Sequence, residues 1–255
     1  MTEDEFKAGA IDLLARWGVH VAPVPTAQGI RTPDLRGRGG PDLYAFELKQ
    51  RDSDRVLNAI PATHDPNVPQ ALPPFAVSRD KAVQSLVREC VRQLRGEAEM
   101  TFRIGWVHCE GFDSDTDQVQ LQNSFLGTEY LLDRGTGGRA YACHFFRESD
   151  FWRYRNELDG AIVSRQVAHD QVNVSVLLNP YSLRADRLRT GTLLASVERA
   201  ALVDVVAEEA ERICLIADCA IDRRDPGRVL DYVCEKYRLD LLRVPIQRYG
   251  GVVRW

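Results

Sequence analysis

At 255 residues the chain can bury a sizeable core, as one elaborated domain or as two. With 44% hydrophobic and 27% charged residues, no run of eighteen apolar residues and an acidic start (Met1-Thr2-Glu3-Asp4-Glu5), it reads as a cytoplasmic globular protein without a membrane span, membrane partner or secretory signal. A net charge of −4 disfavours a protein that coats nucleic acid, but leaves room for a local basic cleft.

Residues 3–17 predict a first helix. Phe6, Ala10, Leu13, Leu14 and Trp17 recur at spacings of three and four, Thr2 can cap the start, and Gly18 sits where a stop belongs. Residues 19–24 alternate weakly and read as a first strand. Residues 29–35 approach a short strand, and Arg36-Gly37-Arg38-Gly39-Gly40-Pro41 is turn chemistry. Residues 43–49 are rich in aromatic and apolar residues, as a strand requires. Alternation there puts Leu43, Ala45, Glu47 and Lys49 on one face, and Tyr44, Phe46 and Leu48 on the other.

This hairpin carries the chemistry. Asp34 precedes Glu47-Leu48-Lys49 by thirteen positions, enough for a strand, a turn and a return. Two carboxylates suit a hard cation such as Mg²⁺, and an ammonium group beside them can orient water or offset charge developing on a phosphate. Asp42 remains an alternative first carboxylate, although five residues before Glu47 leave little room for a strand and a turn.

Residues 51–75 follow as a long polar, proline-rich insert that borders the proposed cleft; it contains His64, whose simplest reading is a solvated side chain. From Ser78 the stripe Val83, Leu86, Val87, Cys90, Val91 and Leu94 marks an amphipathic helix ended by Gly96. Another face of it carries Lys81, Arg88, Arg92 and Arg95, a surface for a phosphate backbone or simply for solvent. Residues 102–109 complete this half as a strand.

Pro33-Asp34, then Glu47-Leu48-Lys49, in the order helix, turn, strand, glycine turn, strand, basic helix, strand, resembles the PD-(D/E)xK nuclease superfamily. The spacing is closest to its Holliday-junction-resolvase-like and small endonuclease branches. The resemblance implies a restriction-endonuclease-like α/β fold, a mixed central sheet flanked by helices, with an α/β C-terminal extension. It implies a nuclease-like core over residues 1–112; residues 113–255 have no assigned role, and extension of the same sheet is open. It further implies a metal-dependent hydrolase acting on nucleic acid, DNA before RNA, with Mg²⁺ or Mn²⁺ held by Asp34, Glu47 and the Leu48 carbonyl, and water positioned or activated by Lys49. In the family the first helix often adds a carboxylate; Glu5 is the best positional match, with Asp12 on the same face, while acids in a first turn also simply favour the helix dipole. Arg36, Arg38, Lys81, Arg88 and Arg92 are then candidate nucleic-acid contacts, and a homodimer is compatible. The alternatives are a catalytically inactive module of the same fold that binds nucleic acid or a protein partner, and an unrelated α/β protein whose second half carries the function.

The second half predicts strands over 127–132 and 140–146 joined by a glycine turn, a helix from Ser149 to Leu158, and a strand pair over 160–163 and 172–178. A helix over 196–211, a strand over 212–217, a helix over 228–237 and a last strand near 242–244 follow. Arg184, Arg187 and Arg189, after Asn179-Pro180-Tyr181, suggest a second phosphate-binding patch, although surface arginines need no ligand. Tyr141, Phe145, Phe146, Phe151, Trp152 and Tyr154 are most simply core. The six cysteines lack a C-x-x-C pair, which favours reduced, mostly buried thiols over a disulfide frame or a zinc site.

Overall fold

The computed structural model describes residues 1–25, 31–52, 70–71, 75–76, 81–98, 101–111, 113–135, 137–168, 171–244, 247–248 and 252–253. Helix α1 (Glu3–Arg16) begins in a reciprocal cap: the Glu5 amide donates to Thr2 Oγ1, and Glu5 Oε2 accepts from the Thr2 amide. It buries Phe6, Ala10 and Leu14, and burial of side chains the size of Phe6 and Leu14 contributes about 1.5–3 kcal/mol each. Gly18, at φ 73°, turns the chain into β1 (His20–Pro23).

The next strand corrects the sequence reading. Leu35–Gly39, expected to be mostly turn, is strand β2, antiparallel to β1 and to β3 (Asp42–Asp52). Gly37 explains why so glycine-rich a segment extends: a Cβ there would lie 2.1 Å from the His20 carbonyl oxygen, so only glycine lets β1 approach. The turn itself narrows to Gly40, at φ 55°, and Pro41. Strand β3 runs past Lys49 to Asp52, so Arg51 belongs to it and not to the insert. Residues 53–69 of that insert, His64 among them, lie outside the described residues.

Short strands β4 (Gln70–Ala71) and β5 (Phe75–Ala76) precede α2 (Lys81–Leu94). Helix α2 buries Val83, Val87, Cys90, Val91 and Leu94, the stripe read from sequence. Then come β6 (Thr101–Glu110), α3 (Ser114–Leu126), β7 (Glu129–Asp133), β8 (Ala140–His144), α4 (Asp150–Arg153), β9 (Gly160–Ala168) and β10 (Gln171–Leu178). The chain continues through α5 (Ala185–Arg189), α6 (Thr192–Ser196), β11 (Leu202–Val203), α7 (Val205–Ala210), β12 (Leu215–Ile216), α8 (Pro226–Tyr237) and β13 (Leu241–Arg243). Short strands β14 (Gln247–Arg248) and β15 (Val252–Val253) pair with β5 and β4.

The expected mixed central sheet flanked by helices is present. Its seven strands run β1-β2-β3-β6-β9-β10-β11, so both halves of the chain contribute to it. The β3, β6 and β9 strands are parallel, with antiparallel neighbours on both sides. One face packs Tyr44, Phe46, Leu48 and Trp106 against α1, α5 and α6. The other packs Ala45, Val107 and Ala161 against α2, α3 and α7. A second sheet, β12-β8-β7-β13, encloses a separate core with Val229 and Val233 of α8.

Three expectations in the second half are corrected. Helix α4 spans four residues instead of ten, and the helix expected over 196–211 is instead α6, β11 and α7. Arg184, Arg187 and Arg189 are not an open phosphate patch. They pair with Asp159 at 2.9 Å, Asp42 at 2.8 Å and Asp204 at 2.6 Å, and so tie α5 and its N-terminal flank to the sheet. Of the aromatic group, Phe146 and Phe151 are fully buried, whereas Trp152 is 51% exposed. Among the described residues, no helix is long and apolar enough to cross a membrane.

Candidate active site

Register creates the site. Leu35 pairs with Phe46 as the last rung between β2 and β3, which sets Asp34 opposite Glu47 just beyond the end of the ladder. The Leu48 amide donates to Asp34 Oδ2 at 2.9 Å, fixing the carboxylate where β2 stops. In an extended strand the N–H and C=O of one residue leave on the same edge, so the Leu48 carbonyl faces this gap too. Lys49 Nζ lies 2.5 Å from Glu47 Oε1, as expected for residues sharing a strand face. The three predicted groups converge.

Asp42 does not join them. It is buried, held by Arg187, and lies five residues from Glu47 on the same strand, roughly 16 Å away along β3.

The electrostatics are unequal. Glu47 is 2% exposed, and burial raises its carboxyl to about 7, against the lowering pull of Lys49; the nearby Asp34 charge adds to the rise. Burial opposes the charge on Lys49, yet the hydrogen bond and charge of Glu47 raise its ammonium above the usual value. Glu47 Oε2 is buried and has no hydrogen-bond partner among the described residues. A carboxylate oxygen left so is costly unless a proton or a cation meets it. Cys90 of α2 lies close enough to Lys49, Glu47 and Asp34 for their charges to act on its buried thiol, and α2 packs on the sheet face that Glu47 and Lys49 share with Ala45.

A cleft of about 270 Å³ opens on the α1 side, lined by Glu3, Phe6, Lys7, Asp34, Leu48, Lys49 and Gln50. Gln50 and two residues of α1 escaped the sequence reading. Lys7 Nζ lies 3.3 Å from Asp34 Oδ1, and Glu3 stands one helical turn away on α1. The available signal was their i, i+4 spacing around Phe6, which shows that they border the buried stripe. Glu5, the predicted extra acid, instead spends its carboxylate on the helix cap; that hydrogen bond to the Thr2 amide lowers its pKa. Glu3 is the acid of α1 that reaches the cleft.

The predicted basic contacts divide. Arg36 is engaged by Glu97, with Nε 3.0 Å from Oε2. Arg92 pairs with Glu89 along α2. Arg38 and Lys81 are exposed and carry no acidic partner among the described residues, and Arg88 is exposed with a contact to Ser85 Oγ at 3.4 Å.

An all-oxygen donor set fits a hard divalent cation: the Asp34 carboxylate, the Glu47 carboxylate with its unpartnered Oε2, and the Leu48 carbonyl. No protein-family model matches the chain. No curated protein matches it either. Among solved structures it is similar to Hjc, a Holliday junction resolvase from the archaeal hyperthermophile Archaeoglobus fulgidus. The two are 19% identical, the match covers 42% of this chain and 67% of that one, and the TM-score is 0.23.

Proposed function

We propose that the protein is a metal-dependent nuclease of the PD-(D/E)xK type that hydrolyses phosphodiester bonds, in DNA before RNA. The observation that carries this reading is the convergence of Asp34, Glu47, Leu48 and Lys49 at the end of β2, with one Glu47 oxygen buried and unpartnered. Asp34, Glu47 and the Leu48 carbonyl would hold Mg²⁺ or Mn²⁺, which supplies charge screening at the phosphate and acidifies water. Lys49 remains an ammonium, so its role is to donate: it orients the attacking water and offsets charge on the phosphoryl oxygens. Water adds to phosphorus and gives up a proton to solvent, the bridging P–O bond breaks, and the departing oxygen takes up a proton from solvent. Arg38, Lys81 and Arg88 supply exposed positive charge for the phosphate backbone.

The test is cleavage of plasmid, linear and branched DNA, and of RNA, with Mg²⁺ or Mn²⁺. Glu47→Ala and Lys49→Ala are each expected to lose about a hundredfold or more in rate; activity intact in both variants rejects the assignment. One observation favours a second reading, a non-catalytic module of this fold that binds nucleic acid or protein: Lys7 and Lys49 already neutralise Asp34 and Glu47. Mn²⁺ titration separates the two, since only the enzyme needs a site that Asp34 and Glu47 create.

A further inference from the structure

A second cluster of donor atoms lies where α7 meets the second sheet. One ring nitrogen of His144, a carboxylate oxygen of Glu208 and the Cys214 Sγ all lie within 4.8 Å of one another. The topology explains how residues so far apart in sequence meet. Strands β12 and β8 are parallel, with Ile216 beside His144, so Cys214 enters β12 just ahead of the histidine. Glu208 lies on α7, and the Ile213 amide donates to the Glu208 carbonyl as the chain folds back towards Cys214.

The chemistry of the set differs from that of the cleft. A thiol, an imidazole and one carboxylate suit a borderline-soft cation with tetrahedral preference, above all Zn²⁺. His144 and Cys214 are buried, at 7% and 2% exposure, so the pair is screened from bulk water. Among the described residues the His144 ring has one hydrogen bond, between Nδ1 and Thr128 Oγ1 at 3.0 Å, which fixes its orientation. The Cys214 thiol donates to the Val205 carbonyl at 3.5 Å, its one hydrogen bond among the described residues. The half-buried Glu208 carboxylate has no lysine, arginine or hydrogen-bond donor on it among the described residues. Three donors therefore face one another with capacity left over.

The backbone around them is also unusual. Only three non-glycine residues have positive φ among the described residues, and two flank the cluster: Phe145 at 57° directly follows His144, and Arg212 at 59° lies two residues before Cys214. Arg212 is the left-handed stop of α7, with the Ile213 and Arg212 amides donating to the Glu208 and Glu209 carbonyls, so it is Phe145, beside His144, whose positive φ lacks a helix end to account for it.

We propose that His144, Glu208 and Cys214 bind one zinc-class cation, with water at the fourth position. In a tetrahedral zinc site the ligand atoms are roughly 3.3–3.8 Å apart, so donors that lie within 4.8 Å of one another need to close by about 1.5 Å at most. Glu208, half-exposed on a short helix, has the freedom to do so. Binding releases the Cys214 thiol proton to solvent and forms the metal–sulfur bond.

The test uses the full chain stripped by a chelator, then titrated with Zn²⁺ or Co²⁺. Expected are one equivalent of zinc retained per chain after desalting, and a thiolate-to-cobalt charge-transfer band with tetrahedral d–d intensity. Cys214→Ser removes the charge-transfer band, and Glu208→Gln weakens zinc affinity about tenfold or more. The Asp34→Asn, Glu47→Gln double variant keeps the cobalt band at full strength, which separates this site from the cleft. A wild-type protein without the band overturns the proposal, as does a band that persists in Cys214→Ser or zinc affinity unchanged in Glu208→Gln. Should Cys214→Ser fail to fold, the wild-type band and the half-exposed Glu208→Gln variant still decide.

Discussion

The cleft at the end of β2 and the cluster between β8, β12 and α7 gather similar numbers of titratable side chains, but by opposite means. In the cleft, Asp34, Glu47 and Lys49 come from one hairpin, and the two carboxylates meet an amide and two ammonium groups as well as each other. In the cluster, His144, Glu208 and Cys214 come from three elements, and nothing cationic faces the Glu208 carboxylate among the described residues. The first set is all oxygen and half open; the second mixes nitrogen, sulfur and oxygen around two buried residues. Donor hardness and access, more than the number of acids, decide what each can hold. The cleft suits a cation that keeps waters and shares a phosphate. The cluster suits one that stays bound.

The most forceful way to break this contrast is to cross the variants. Asp34→Asn is expected to reduce Mn²⁺-dependent cleavage about a thousandfold, because it removes the anionic charge of a ligand, while its amide oxygen can still accept from the Leu48 amide. The same variant should leave the cobalt–thiolate band unchanged. Glu208→Gln should do the reverse, weakening zinc while turnover in Mg²⁺ stays within about twofold of wild type under conditions where the fold is intact. Rates measured beside cobalt spectra on the same preparations check it; a variant that moves both readouts would mean that the two sites are not independent.

The contrast also tells what the sequence could reveal. Asp34, Glu47 and Lys49 were legible because a hairpin is local: alternation along β3 fixes which side chains share a face, and the turn fixes what lies opposite. Helices α1 and α2 were legible from their stripes. Helix α3 was not, because most of what it buries is polar and its buried apolar residues, Leu121, Phe125 and Leu126, are confined to its second half. Gln118 donates to Asn173 Oδ1 at 2.9 Å, Ser124 to Asp150 Oδ2 at 2.6 Å, and Asp117 pairs with Arg51 at 2.8 Å, so the apolar stripe is too short to read. Strand β2 hid behind its glycines, which serve close packing against β1 and not only a turn. Arg184, Arg187 and Arg189 looked like surface charge because their partners Asp159, Asp42 and Asp204 lie far off in sequence or in another element. The His144 cluster has no spacing motif at all; only the pairing of β8 with β12 assembles it.

A sharper test of the cleft follows from the buried acid. Burial raises the Glu47 carboxyl to about 7 in the fold, from the ordinary glutamate value of 4.5. The folded protein thus binds a proton there more tightly than the unfolded chain. The contribution of Glu47 to metal-free stability is therefore largest below about pH 4.5, falls as pH rises to about 7, and is level above that. Glu47→Gln removes this slope. Relative to the variant, metal-free wild type should lose on the order of 2 kcal/mol between pH 5 and pH 8 in urea unfolding. A flat difference, or one of opposite sign, would mean that Glu47 is not desolvated. Added Mg²⁺ at pH 8 should recover part of the loss in wild type and none in Glu47→Gln.

The smallest expected effect concerns Lys7, which occupies Asp34 from the α1 side and has no counterpart in the cluster. If the cleft is built to take a cation, this ammonium competes with it. Both partners are about a quarter exposed, so the pair is a partly screened one, worth about 0.5–1 kcal/mol. Lys7→Met should then tighten Mn²⁺ binding by roughly twofold to fivefold, read by loss of the free-ion EPR signal. If Lys7 also moves onto a phosphate when nucleic acid enters, the same variant lowers the slope of log affinity against log salt by about one. Tighter metal binding with an unchanged salt slope would assign Lys7 to gating the metal alone. Weaker metal binding would show that Lys7 orders Asp34 for ligation and does not compete for it.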